Sequence, residues 1–337
     1  MTQVEEKVKT YTMAEAMNQA LDESMAADSR VFILGEDISD RTGGSFRVTQ
    51  GLTNKYGVER VRDTPIAEQA IIGAAIGAAI GGMRPVAEIM IMDFMMVAMD
   101  QIANHAAKLR YMSGGRTNVP MTLITVGGGG VASGAQHSQW IEAWIAHIPG
   151  LKLVIPSTAA DAKGLLLSCI ADDDPCVFIG SMAQMYSRGP VAADQGAIPL
   201  GQADIKRAGK DVTIISYGPT MPTVLAATDA LAADGIEAEV VDLRTIVPLD
   251  LPTVLESVRK TKAAIVVHNA VRAFGVGAEV ADRINHELWG ELRAPVERIG
   301  AKPSPNPVAP NLESAMYPSV EQIAAAARAT WGGQVDP

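Results

Sequence analysis

Cysteine is scarce in the 337-residue sequence, with only Cys169 and Cys176 seven positions apart. That excludes a fold stapled by disulfides and points to a reduced pair in a cytoplasmic protein. Aromatic residues make up only 4%, so packing has to rely on small and flexible side chains. No apolar run reaches the ~20 residues that cross a bilayer, because Arg84, Glu88 and Asp93 break the longest ones. The opening, MTQVEEKVKT, has no apolar core of a secretory signal. Basic residues are outnumbered, and the net charge of −10 argues against nucleic acid, whose phosphates require clustered Lys and Arg. Neither a CxxC nor an HExxH spacing occurs among the cysteines and five histidines, so no metal signature of that kind is present.

Gly, Ala and Met are plentiful, apolar residues make up 48%, and mean hydropathy is +0.14. A chain of this length and composition suits two buried α/β domains. The first half reads as helix 12–26, strand 30–34, a polar loop 40–51, helix 65–81, strand 86–92, helix 95–111, strands 119–126 and 151–155, helix 159–170 and strand 176–179. Periodicity is lost from Gln184 to Ala208, which reads as a linker. Beyond it, DVTIISYG, IEAEVVDL, AAIVVHNA and PVERIG alternate with helices ending in 319–331. That alternation means a doubly wound sheet. The expected fold is therefore α/β, two doubly wound domains with mainly parallel sheets: residues 1–185, a linker 186–208, and residues 209–337. GVGAE at 275–279 follows a loop and carries two glycines only, which excludes a nicotinamide fingerprint there.

The stretch Asp63–Asp93 is the most unusual. Gly73, Gly77 and Gly81 recur every four residues in a helical run that Pro65 would open. Each glycine costs roughly 1 kcal/mol against alanine, so another backbone is expected to approach the stripe. Glu68 stands at the head of this helix. With Thr64 as N-cap the capping-box position would be Ala67, so Glu68 either offsets the helix dipole or serves a site. Phe94, just past a strand end, is either core or a ligand contact. GGGGVASGAQHSQW lacks the lysine of a phosphate loop, and its glycines mark permissive backbone beside a ligand or partner. His137 ends that loop before a helix expected near Ser138. CIADDDP reads as a solvated turn with Asp capping, and Asp37 as a cap of its turn.

Glu68, Gly73 and Gly77 with their apolar neighbours resemble the glutamate–glycine signature of thiamine-diphosphate enzymes. GEDI, GGSFRVTQGL, RVRDTPIAEQ, RYMSGG, GAQHSQ and HIPGLKLVIPSTAADAKGLL, in that order, are similar to one branch. That branch is the beta subunit of the two-chain 2-oxo acid dehydrogenases (pyruvate, branched-chain 2-oxo acid) and of the acetoin-cleaving enzymes. The resemblance runs from about Tyr11 to Trp331. It implies a pyrimidine-binding domain followed by a transketolase C-terminal-like domain, with thiamine diphosphate as cofactor. It also implies Glu68 bonded to the aminopyrimidine ring nitrogen, its pKa raised in an apolar pocket, with Phe94 and Ile66 against the ring. His137 would face the reacting atoms, as proton donor or as orienter of the acyl acceptor. The Met121 carbonyl, the Cys169 and Ile170 carbonyls, Asp172 and Asp174 would hold a structural potassium ion.

The GDG motif that grips the diphosphate through Mg²⁺ is absent from the chain. In the resembled branch it belongs to an alpha subunit. The resemblance thus implies an active site shared in a heterotetramer of two alpha and two beta chains, with Mg²⁺ on the alpha side and a dihydrolipoyl acyltransferase as a further partner. Implied activities are decarboxylation of a 2-oxo acid with acyl transfer to lipoamide or another acceptor, or cleavage of acetoin or a diketone. A non-catalytic regulatory or structural partner is the competing reading. Three departures stand out: Gly180 where a glutamate is usual, His268-Asn269 where a glutamate pair is usual, and a tail, AKPSPNPVAPNLESAMYPS, without its acidic-proline opening and tyrosine.

Overall fold

The structure, a computed structural model, describes residues 9–39 and 43–333. Residues 1–8 of the opening segment, 40–42 of the expected loop and 334–337 lie outside the described residues. The chain forms two compact units, one of residues 1–90, 94–125 and 158–199, the other of 91–93, 126–157 and 200–337.

In the first unit, strands β1 (Val31–Gly35), β2 (Val61–Asp63), β3 (Arg84–Ile89), β4 (Thr122–Gly127) and β5 (Cys176–Ser181) lie in the order β5-β4-β3-β1-β2. β1 pairs parallel with β2 and with β3, and β3 with β4. β1 and β4 are buried at every position, as strands covered on both faces are. Helix α1 (Met13–Ala27) packs on α3 (Ala159–Ala171). Its buried Met13, Ala16, Met17, Ala20 and Leu21 repeat at helical spacing. Thr12 and Glu15 form a capping box, Thr12 Oγ1 accepting from the Glu15 amide at 3.1 Å, worth about 1 kcal/mol. Helix α2 spans Glu68–Ile80. Pro65 precedes it, Ala67 rather than Thr64 is its N-cap, and Gly81 is its C-cap. The Thr64 hydroxyl caps nothing, its Oγ1 having no hydrogen-bond partner among the described residues, and its amide bonds to the Gly35 carbonyl at 2.9 Å.

The expected long helix 95–111 is broken. A 3₁₀ stretch (Met92–Ala98), a π-helical turn (Gln101–Ala106) and a short α turn (Leu109–Met112) replace it. A π turn inserts a residue and shifts the helical phase, so residues before and after it do not share one face.

In the second unit, β6 (Asp204–Arg207), β7 (Val212–Ser216), β8 (Ala238–Asp242), β9 (Ala264–Val271) and β10 (Glu297–Ala301) lie in the order β10-β9-β7-β8-β6. The first four of that order are parallel, and β6 is an antiparallel edge. β6, together with Arg188–Pro190, which pairs with Thr10–Thr12, gives the expected linker two strands. Their short polar sequences pair through backbone and show no burial period. Helices α4 (Met221–Ala233), α5 (Leu251–Thr261), α6 (Val276–Glu287) and α7 (Val320–Trp331) accompany the sheet. Val212, Ile214, Val240, Ile265 and Val267 form a core with Val224, Leu231, Ile323 and Ala327.

This unit also buries Glu142 completely. Its pKa is raised by burial, and Tyr217 donates to Glu142 Oε1 at 2.7 Å. Tyr217→Phe removes this hydroxyl donor from a fully buried carboxyl group. A loss of about 1–3 kcal/mol is expected, measured as the urea-unfolding midpoint of the full chain. An unchanged midpoint would show that the bond contributes nothing.

Candidate active site

In a parallel sheet, ligands gather outside the carboxyl ends of the strands. At those ends the first unit carries Glu36 after β1, Ile66 and Glu68 after β2, and Phe94 beyond β3. Three of the residues expected from the resemblance thus follow β2 and β3, the two parallel strands that flank β1. Ile66 is 82% exposed, while Glu68 and Phe94 are half-buried. Glu68 is the first residue of α2 and its only first-turn acid. Asp37 has φ 56°, and the bond at its turn is made by its backbone, its carbonyl accepting from the Gly44 amide at 3.0 Å.

Two further carboxyl groups stand behind Glu68. The Glu36 pKa is raised by burial, then by the charges of Glu68 and Asp37, against a hydrogen bond from the Ala67 amide. Glu88, inside β3 and 6% exposed, is pushed up to about 7, first by burial and then by the charge of Glu36. Glu36 Oε1 and Glu88 Oε2 are buried without a hydrogen-bond partner among the described residues. The sequence reading missed both as site residues. The available signal was a lone carboxylate in an otherwise apolar strand, VAEIMIM, and the unassigned glutamate of GEDI. Glycine makes room for this group: a Cβ at Gly35 would lie 2.9 Å from the Glu88 carbonyl oxygen, and Gly44 has φ 81° with Glu88 Oε1 3.4 Å from its Cβ position.

The second unit carries His137, half-buried. The glycine run before it closes back on itself. A Cβ at Gly128 would sit 1.8 Å from the His137 carbonyl oxygen, so only glycine fits. The Trp140 indole donates to the Gly128 carbonyl at 2.7 Å. Glu313, 3% exposed, accepts from the Gly130 amide at 3.0 Å and the Ala132 amide at 2.7 Å. Asp93 accepts from Gln139 Nε2 at 2.8 Å, and its pKa is raised by burial. No regular element follows His137 directly, and the helix begins only at Glu142, not near Ser138. The Gln139 and Trp140 bonds hold the chain out of helical geometry there.

The turn expected to hold potassium is organised differently. Arg84 Nη1 donates to the Ile170 carbonyl at 3.2 Å and the Asp172 carbonyl at 2.9 Å, and Nη2 to Asp173 at 2.5 Å. The Met121 carbonyl accepts from the Cys176 amide, the Cys169 carbonyl from the Asp172 amide, and Asp174 pairs with Arg110. Guanidinium groups and amides thus already bond several of these oxygens. Among the described residues, no group of three or more His, Cys, Asp or Glu is arranged for a metal.

Residues 9–186 match the transketolase pyrimidine-binding domain family, and residues 201–323 the transketolase C-terminal domain family. The beta subunit of acetoin:2,6-dichlorophenolindophenol oxidoreductase from Cupriavidus necator is 45% identical, over 94% of this chain and 96% of its own. The 2-oxoisovalerate dehydrogenase beta subunit of Bacillus subtilis is 43% identical, over 93% and 96%. The chain belongs to the beta-subunit family of thiamine-diphosphate-dependent 2-oxo acid and acetoin dehydrogenases. The beta-2 subunit of the rice pyruvate dehydrogenase E1 component (Oryza sativa) is 44% identical, over 95% of this chain and 86% of its own. A solved split-gene transketolase, an inactive beta4 tetramer, shares the fold with a TM-score of 0.79 at 23% identity, covering 96% of this chain and 99% of its own. This beta-subunit chain is therefore part of a catalytic enzyme, and its fold is transketolase-like. Among its described residues no helix is long and apolar enough to cross a membrane.

The carboxyl edge fits the family's cofactor. Thiamine diphosphate presents an aminopyrimidine ring whose nitrogen calls for a carboxyl group, and here half-buried Glu68 is backed by orphaned buried oxygens on Glu36 and Glu88. The raised Glu88 pKa has a consequence for stability. Its folded value, about 7, exceeds the ordinary 4.5, so the folded state holds the proton more tightly between those values. Stability should then fall as pH rises from about 4.5 to 7 by roughly 3 kcal/mol from this group. Glu88→Gln should flatten that part of the urea-midpoint profile and raise stability at pH 8. A variant with the wild-type slope would contradict the buried, proton-holding assignment.

Proposed function

We propose that this chain is the proton-handling half of a heteromeric enzyme that decarboxylates a 2-oxo acid and passes the acyl unit to lipoamide or another acceptor. The carrying observation is the set of three carboxyl groups, Glu68, Glu36 and Glu88, whose charges are coupled in that order at the sheet's carboxyl edge. When bound, thiamine diphosphate supplies a carbanion-type nucleophile for the 2-oxo carbon. Glu68 holds or gives a proton at the aminopyrimidine ring nitrogen. Glu36 and Glu88, whose charged forms burial disfavours, keep protons in reserve behind it. Phe94 and Ile66 offer apolar surface to the ring. His137 gives a proton to, or orients, the acyl acceptor.

The missing half is a partner. Gly73 and Gly77 face outward with open space at their Cβ positions. Together with exposed Ala70, Ala74 and half-exposed Ile80 they make an uncharged, nearly flat helix face. Small residues let a second backbone approach closely, so we assign this face to contact with another subunit. An alpha subunit carrying the GDG motif and its Mg²⁺ completes the site in a tetramer of two alpha and two beta chains, with a dihydrolipoyl acyltransferase as the docking partner. The second reading, acetoin or diketone cleavage in a specialised pathway, is favoured by the departures at Gly180, His268-Asn269 and the tail.

Reconstitution with the alpha chain tests the reading. The beta chain alone should show no turnover, and the pair should act on a panel of 2-oxo acids, acetoin and diketones. Glu68→Gln should lower kcat of the pair at least ~100-fold with assembly intact. Retained activity would instead indicate a non-catalytic partner. Gly73→Leu should abolish assembly, read by light scattering, while the chain's own melting temperature holds. A Gly73→Leu chain that assembles normally would remove this face from the interface.

A further inference from the structure

The second unit contains a cavity that none of Glu36, Glu68 and Glu88 lines. It has a volume of about 370 Å³ and is lined by Ser138, Trp140, Asn269, Lys302, Asn306 and Tyr317 among others. We propose that it binds a small organic carboxylate. This inference concerns the free chain and does not rest on the proposed reaction.

The lining carries donors in excess. Lys302 brings an ammonium group. Asn269 Oδ1 accepts from the Thr220 hydroxyl at 3.1 Å, which leaves its NH₂ as the group for a ligand. Tyr317 accepts from Asn306 Nδ2, leaving its O–H to donate. Ser138 is 1% exposed, and its Oγ has no hydrogen-bond partner among the described residues. A buried hydroxyl left unmatched is costly, and a ligand oxygen would satisfy it. No Asp or Glu lines the cavity. Glu313, on the same tail, commits its two oxygens to the Gly130 and Ala132 amides.

One cation with neutral donors matches a monoanion rather than a phosphate dianion. Trp140, Ile141 and Val271 supply apolar wall for a short organic body, and the volume lies at the small end of ligand sites. Ser138 lies between His137 and Gln139, so an occupied cavity would fix the segment that carries His137.

The test is binding to the full-length chain, by saturation-transfer NMR and calorimetry, with acetate, pyruvate, succinate and inorganic phosphate as probes. At least one carboxylate should bind one-to-one with Kd on the order of 1 mM or below. Lys302→Glu and the milder Lys302→Ala should each weaken it at least ~10-fold, and Ser138→Ala about fivefold. Glu68→Gln should leave it unchanged, which separates this cavity from the edge assigned to the reaction. The proposal is overturned by no carboxylate binding up to ~50 mM, by binding of phosphate alone, by binding that persists in both Lys302 variants, or by loss in Glu68→Gln.

Discussion

The cost of ionising a carboxyl group away from water governs the first unit. Glu88 is closed inside a strand with one oxygen unmatched, and its charge is further opposed by Glu36. Coulomb repulsion links Glu36 in turn to Glu68 at the head of α2. A group that keeps its proton near neutrality is of little use for holding a fold together and well suited to handing a proton on. The surrounding backbone is shaped for it, since a Cβ at Gly35 would press on Glu88 and Gly44 turns beside it with φ 81°.

Glycine has two different tasks in this chain. In the 128–134 loop it allows one backbone to lie against another, Gly128 against the His137 carbonyl, with Glu313 and Trp140 binding the loop shut. The requirement is satisfied inside the chain. In α2 the same residue leaves a face with nothing on it. Helical glycine is costly there, and no internal contact repays it, which is why that face is assigned to another subunit.

Much of the architecture was legible beforehand because it depends on local pattern. Helices 221–233, 251–261 and 320–331 and the buried parallel strands have the spacing that their periods demand. The candidate site was legible as residue types in motifs: Glu68, Phe94 and His137. The misreadings have local causes as well. Thr64 was taken for a cap, but its hydroxyl bonds to nothing among the described residues. The helix after Phe94 was taken as continuous, but a π turn interrupts it. The acidic turn was read as a solvated one, without its pairing to Arg84 and Arg110. No spacing rule brings Arg84 to a turn 86 residues away.

By itself the sequence determined the α/β class, the family and the lack of a diphosphate-gripping motif, since these rest on periodicity and on which residues are present. Tertiary structure decided which carboxyl groups lose their water and which charges meet. Glu36 and Glu88 became site residues, and Lys302, Asn269 and Ser138 came to line one cavity, only through burial and long-range approach. Those depend on how strands and loops distant in the chain are packed, and no local pattern encodes them.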